Sequence, residues 1–369
     1  MPDVIVVGGG VIGCATAYYL AREGASVTLL ERGELAGEAS GAAAGLLAAL
    51  SDEGGNRGAA FQALCLDSLS LYGSLLPELD ATGVDVRYRH GGVLHVALDD
   101  AEARHLRHRF EAQRALAPNN RWLDSAGIAR EEPLVSANAT AGLLSPDEHY
   151  LDPQRLTLAL AEAARRHSAT VLTETPVTAL VRHRDRLAGV RTLTGALPAD
   201  HVVLAGGPWT SRLAARLGAH VPVYPVRGQM LSLKGPTPQL GHVIWGAHAY
   251  LVPREDGQTY VGATVEDVGY RRRNTNAALT HLRRAAAALV PSLASAPLLR
   301  AWSGLRPATP DALPIMGLLP GWQNAWVATG HFRNGILLAP ISGQLLAQSI
   351  LSGSDHPTLG PFSPNRFAE

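Results

Sequence analysis

The chain has 369 residues, 46% of them hydrophobic and only 17% charged, and its 32 basic residues balance 32 acidic ones. That suits two domains or one large one, and a net charge of zero argues against nucleic acid or an anionic membrane as the main partner. Lys234 is the sole lysine and Gly235 follows it, so there is no Gly-Lys-Ser/Thr phosphate loop, and Schiff-base chemistry would rest on that one strand-end residue.

The two cysteines, Cys14 and Cys65, make neither a disulfide framework nor a zinc-ligand pair. They predict buried thiols and a reducing, cytoplasmic compartment. No leader is expected before the first strand, and apolar runs such as residues 41–50 fall short of the ~20 residues that span a bilayer.

Residues 4–7 (Val-Ile-Val-Val) predict a parallel strand buried on both faces. Gly8-x-Gly10-x-x-Gly13 follows, then a helix over 14–23 and a second strand over 25–31 that stops on Glu31. In that order each piece has a task. Gly8 allows the tight turn, Gly10 lets the backbone approach a pyrophosphate at the helix N-terminus, and Gly13 lets the helix pack close to the sheet. Glu31 offers acceptors to ribose hydroxyls and disfavours a 2′-phosphate, which leaves FAD or NAD. Residues 38–47 are dense in small side chains. They read as backbone lying flat against a ligand, which favours FAD, or as a short Ala-rich helix without a ligand role.

A long helix is expected over 51–79 with a break at 52–58, and a β-hairpin over 86–98 around Gly91-Gly92. Residues 102–114 read as a solvated helix whose His105 and His108 lack a third metal ligand. Residues 152–167 predict an amphipathic helix with Pro153 in its first turn. A strand at 171–172 and a meander over 177–203 follow, the meander ending in a buried strand at 201–204. Ala205-Gly206-Gly207-Pro208-Trp209 is a second strand-to-helix glycine turn, leading to a helix over 211–217. A glycine turn used twice is the doubly wound pattern.

Strands over 221–233, 243–252 and 258–265, a turn at 254–257 and a helix over 277–289 lack that alternation. They predict an antiparallel sheet in a separate domain. Residues 302–311 (Trp-Ser-Gly-Leu-Arg-Pro-Ala-Thr-Pro-Asp) read as a rigid, proline-framed turn presenting Arg306. A strand at 325–328, a turn containing Arg333 and a helix over 336–351 follow, with Pro340 tolerable in the helix's first turns. The positive end of that helix would stabilise charge on a reduced flavin. Arg306 and Arg333 are either ligand-facing or a pair of surface salt bridges.

The glycine motif with Glu31, the small residues 40–45, Gly304-Leu-Arg306-Pro and Gly330-His-Phe-Arg333-Asn-Gly-Ile-Leu-Leu-Ala-Pro340 together resemble the D-amino-acid-oxidase superfamily of flavoenzymes, nearest to its glycine oxidase branch. The resemblance covers residues 3 to about 350. With the element order it implies an α/β fold. A Rossmann-like FAD-binding domain would take residues 1–82, 145–216 and 303–369, and an α+β substrate domain built on an antiparallel sheet would take 83–144 and 217–302.

It implies non-covalent FAD. Val11, Ile12 and Gly13 would face the pyrophosphate, and Glu31 and Arg32 the ribose. Ala39, Ser40, Ala44, Gly45 and Leu46 would line the diphosphate and flavin ring, and Val177 would touch the adenine. His331, Phe332, Arg333, Asn334, Gly335, Ile336 and Leu337 would wrap the flavin. Arg306 would clamp a substrate carboxylate, with Arg333 nearby and Tyr250 donating a hydrogen bond.

The implied reaction is oxidative deamination of glycine, sarcosine or small D-amino acids. Hydride passes to the flavin, the imine hydrolyses to a 2-oxo acid (glyoxylate from glycine) and ammonia, and oxygen becomes hydrogen peroxide. A dehydrogenase using another acceptor is the alternative. No acid or base residue and no metal is demanded. A homo-oligomer such as a tetramer, and hand-off of the imine to a thiazole synthase in thiamine biosynthesis, also follow from the resemblance. Leu46, Ala48 and Val265 depart from the methionine, glycine and methionine of the glycine oxidase pattern. The absence of a cysteine after Cys65, and Val265 in place of a lysine, set the chain apart from sarcosine oxidases.

Overall fold

In the computed structural model, which describes residues 1–50 and 57–368, strand Asp3–Val7 is buried along four of its five residues. Its alternating side chains serve two cores. Val4 and Val6 enter one cluster, and Ile5 and Val7 the cluster on the opposite face. A β-branched run without polar residues is what a strand covered on both faces requires. The strand pairs in parallel with Ser26–Leu30 and His201–Leu204. The six-stranded sheet runs Ile315–Leu318, Ala325–Thr329, His201–Leu204, Asp3–Val7, Ser26–Leu30, Thr170–Leu172, with the first of these antiparallel.

Helices Val11–Arg22, Gly58–Asp80, Pro153–Arg166 and Gly335–Ser352 cover one face. A meander of Ala179–His183, Arg186–Arg191 and Ala196–Pro198, with helix Thr210–Ala215, covers the other. A Cβ on Gly343 would lie 2.7 Å from the carbonyl carbon of Ala15, so the Val11–Arg22 and Gly335–Ser352 helices cross almost backbone to backbone. Both cysteines are buried in this layer, and burial pushes the Cys14 thiol up to about 12.

The second sheet has eight strands, in the order Leu298–Ala308, Tyr224–Lys234, Gln258–Gly262, Tyr250–Pro253, Val243–Trp245, Val93–Ala97, Ala141–Ser145, Arg121–Asp124. Neighbours are antiparallel except Val243–Trp245 beside Val93–Ala97. Helix Asn276–Leu289 packs on it through Leu282, Ala286 and Leu289.

Several local expectations change. No hairpin forms over 86–98. Gly92 (φ +67) turns the chain, so Arg89 bridges to Tyr150 while Val93–Ala97 pairs with Ala141–Ser145. The apolar stretch 243–252 is two strands, closed where Gly246 N–H donates to Ala249 O at 2.9 Å. Residues 302–308 are not a turn but the end of strand Leu298–Ala308, with Pro307 opposite Pro225. Two facing prolines fit only a pair that exchanges no ladder bonds, and this strand is the sheet edge, where proline is tolerated.

Residues 52–56 of the expected break at 52–58 lie outside the described residues, and helix Gly58–Asp80 begins on its last residue. That helix and residues 332–352 are long and apolar enough to cross a bilayer by length and composition, contrary to the expectation that no apolar run is. Residues 332–352 lie largely inside the fold.

Candidate active site

Two cavities of about 320 and 190 Å³ adjoin along Ala39, Ala43, Phe332, Arg333 and Ile336. The larger is walled by the Gly8-x-Gly10 turn, Val11, Ile12, Glu31, Arg32, Ala39, Ser40, Val177, the 205–209 turn, His331, Phe332, Arg333, Gly335 and Ile336. It lies where strands Asp3–Val7, Ser26–Leu30 and His201–Leu204 end and their helices begin, the crevice that open α/β sheets offer to nucleotides.

The glycines divide by task. Gly8 has φ +122 and a Cβ there would lie 2.4 Å from Ala205 O; one on Gly13 would lie 1.9 Å from Gly8 O. Both are required by the close approach of backbone. Gly13 lines neither cavity, so its place is the helix–strand contact. A Cβ on Gly10 meets only Ser40 Oγ, at 3.2 Å, so the space beside Gly10 belongs to whatever enters the cavity. Gly10 also starts the Val11–Arg22 helix without a side-chain cap of its own.

Glu31 accepts from Gly9 N–H at 2.7 Å and from Gly33 N–H at 2.9 Å. These amides orient the carboxylate and leave it further acceptor sites. Ser40 Oγ accepts from Val11 N–H at 2.9 Å, which leaves the hydroxyl proton available to an anion. Arg32 stacks on Trp209 at 4.0 Å and bonds Glu38 at 2.8 Å. Arg272 takes the other oxygen of Glu38 at 2.7 Å, and Tyr270 donates to Pro208 O at 2.9 Å, so the segment after Gln258–Gly262 is fastened along the rim. His331 is buried in the wall, and burial pushes its imidazole down to about 3. Its Nε2 lies 3.0 Å from Ser342 Oγ, while Nδ1 is buried without a partner. The open space at Gly10, the braced acid and the orphaned nitrogen fit a long dinucleotide such as FAD.

The smaller cavity is walled by Ala44, Gly45, Leu46, Ala48, Met230, Trp245, His248, Tyr250, Val265, Arg306, Arg333 and Asn334, among others. A Cβ on Gly228 would lie 2.3 Å from Arg306 Nη1, so the guanidinium lies over a glycine of the neighbouring strand. Arg306 donates to Thr264 O at 2.9 Å. That carbonyl is held by a network beneath it. Glu266 pairs with the buried Arg227 and accepts from Gln229 Nε2 at 2.8 Å. Burial pushes the Glu266 carboxyl up, but bonds from Arg227, Thr264 and Gln229 outweigh that and hold it low.

The Tyr250 ring covers Gly262, where a Cβ would meet its hydroxyl at 2.7 Å. Burial raises the phenol's pKa against the opposing pull of Arg306 and Arg333, so it stays protonated and can donate. Two cations and one hydroxyl therefore face one cavity, a donor set for a carboxylate.

Ala44 O accepts from the buried Arg254 at 2.5 Å, which ties the 44–46 segment to the second sheet. Gly45 (φ +83) lies against Leu151 O, 1.9 Å from where its Cβ would be. Phe332 holds φ +48, a strained value for an aromatic residue, at the junction of the cavities. Leu337 departs from expectation: it lines neither cavity, and its side chain is in the core. Trp209, Arg212, Met230, Trp245 and His248 line the cavities without having been singled out. The 205–209 turn carries a signal; Arg212, Met230 and Trp245 lie in ordinary helix and strand sequence and His248 in the turn between two strands, where only tertiary packing distinguishes them.

A family model described as FAD dependent oxidoreductase matches residues 3–349. The glycine oxidase of Geobacillus kaustophilus is 34% identical over 369 residues, covering 99% of this chain and 97% of that protein. Its crystal structure superposes with a TM-score of 0.93, covering 99% of this chain and 98% of that one at 33% identity. The bifunctional protein ThiO/ThiG of Trichormus variabilis is 36% identical over 370 residues, and the chain spans only 55% of that protein's length.

Proposed function

The chain belongs to the family of FAD-dependent oxidoreductases, and from that premise we propose that it oxidises glycine and other small amines, sarcosine and small D-amino acids among them, to the imine, which water converts to the 2-oxo acid and ammonia, or methylamine where the substrate is sarcosine. Molecular oxygen is the acceptor in this reading and leaves as hydrogen peroxide. The observation that carries it is Arg306, lying over Gly228 in a cavity with Arg333 and Tyr250, directly beside the larger one walled by the Gly8-x-Gly10 turn and Glu31.

Bound FAD supplies the two-electron acceptor for the amine's Cα–H. Arg306 grips the carboxylate in two bonds and so sets which face of Cα turns to the larger cavity. Tyr250, kept protonated, donates a further bond to the same group. Arg333, on the boundary of the two cavities, adds positive charge that favours an anionic substrate over a neutral amine. No side chain is assigned as acid or base, since the amine need only arrive neutral. The fused ThiO/ThiG relatives support a further role, supplying the imine of glycine to a thiazole synthase.

Purified protein mixed anaerobically with glycine, sarcosine and D-alanine tests the reading. Bleaching of the flavin band by at least one, followed by peroxide on admitting air, is expected. Bleaching without peroxide moves the protein to a dehydrogenase with another acceptor. A flavin that no amine bleaches sinks the proposal.

A further inference from the structure

Helix Gly335–Ser352 begins at the junction of the two cavities, and Pro340 lies in its second turn. Proline has no N–H, so the carbonyl of Ile336, four residues earlier, has no donor within the helix. An orphaned carbonyl in a buried first turn would loosen that turn where it meets the cofactor cavity. The Gly58–Asp80 helix supplies what is missing. Tyr72 hydroxyl donates to Ile336 O at 2.5 Å. Ser68 Oγ donates to Leu337 O at 2.6 Å and lies 3.5 Å from Ile341 N, the next amide after the proline. Ser68 and Tyr72 are four residues apart on one helical face, and both are fully buried. Neither lines a cavity. Burial chiefly, with Tyr19 and Tyr88 alongside, holds the Tyr72 phenol well above its ordinary pKa, so it remains a donor.

We propose that Tyr72 and Ser68 are positioning residues: by bonding the Ile336 carbonyl that Pro340 leaves without its donor and the Leu337 carbonyl beside it, they fix the first turn of the Gly335–Ser352 helix against the cofactor, and so set how much more tightly the protein holds reduced than oxidised FAD. The inference rests on the reading of the larger cavity as the FAD site. The same turn carries the positive end of the helix macrodipole, whose effect falls off within one turn. A small outward shift therefore weakens its interaction with an anionic reduced ring more than with the neutral oxidised one.

The test is a dye-coupled reductive titration of the holoenzyme, which needs no amine substrate, together with FAD dissociation constants from flavin fluorescence. Tyr72→Phe and Ser68→Ala should lower the ratio of reduced to oxidised affinity about three- to tenfold, a fall in midpoint potential on the order of 15–30 mV for a two-electron couple. Ser68→Thr should restore the wild-type value. Pro340→Ala returns an N–H to Ile336 O, so Tyr72→Phe in that background should shift the potential by less than a third as much. Equal shifts in both backgrounds, or lower thermal stability with unchanged potentials, would overturn the proposal. If Tyr72→Phe does not accumulate, Ser68→Ala with its Thr rescue carries the same expectation. A yellow protein that no amine bleaches would end the amine reading while leaving this measurement intact.

Discussion

Arg306 owes its place to a residue with no side chain. Its guanidinium occupies the volume a Cβ on Gly228 would fill, and Thr264 O holds its Nη1 at 2.9 Å. Arg306→Ala should therefore raise KM for the amino acid roughly tenfold to a hundredfold, the scale of about 1.5–3 kcal/mol for a charged hydrogen bond. Gly228→Ala should raise KM in the same direction with Arg306 intact, because the new methyl displaces the guanidinium. Flavin content should be unchanged in both, and steady-state kinetics with absorbance at the flavin band reads both. An unaltered KM in Arg306→Ala would remove it from the substrate site. Arg306 was legible in the residues as a presented arginine, although in a supposed turn. Gly228 was not, because the partnership is diagonal across two strands whose register no local pattern reveals.

Among the elements, the Val11–Arg22 and Gly335–Ser352 helices decide the shape of the larger cavity, since both begin at its wall. They are locked together where Gly343 meets Ala15, so a side chain there must push them apart. Gly343→Val should cost about 1–3 kcal/mol, the usual range for overpacking a filled core, and urea midpoints at constant slope would measure it. Because both starts would move, FAD affinity should fall in the same variant. Retained affinity with lost stability would mean that the crossing does not govern the cavity. Both helices could be read from composition and glycine punctuation. Their crossing could not, because it depends on packing between segments far apart in the chain.

For the molecule as a whole, buried imidazoles set the response to acid. Burial lowers the pKa of His331 to about 3 and also depresses those of His95, His149 and His201. In the unfolded chain these groups take up protons near 6.5. Below that pH the unfolded state binds more protons, so stability falls as pH falls. For His331 alone the loss should reach on the order of 4 kcal/mol by pH 3. Glu266 and Asp311, held below their ordinary values, add a loss that begins near pH 4.5. Thermal midpoints should be nearly flat between about pH 7 and pH 8 and decline steadily below 6.5, and His331→Asn should flatten that decline. A wild-type midpoint unchanged between pH 7 and 5 would contradict this account.

The residues alone specified everything whose physics is local. Strand, glycine turn, helix, second strand and acid follow one another within 31 residues, and each requirement is met by near neighbours, so the nucleotide crevice could be read directly. The edge strand bearing Arg306, the glycines beneath Arg306 and Tyr250, and the hydroxyls of Ser68 and Tyr72 that complete a helix 264 or more residues away emerged only on folding. Register and helix packing are set by the summed fit of many side chains, and no short stretch of sequence contains that sum.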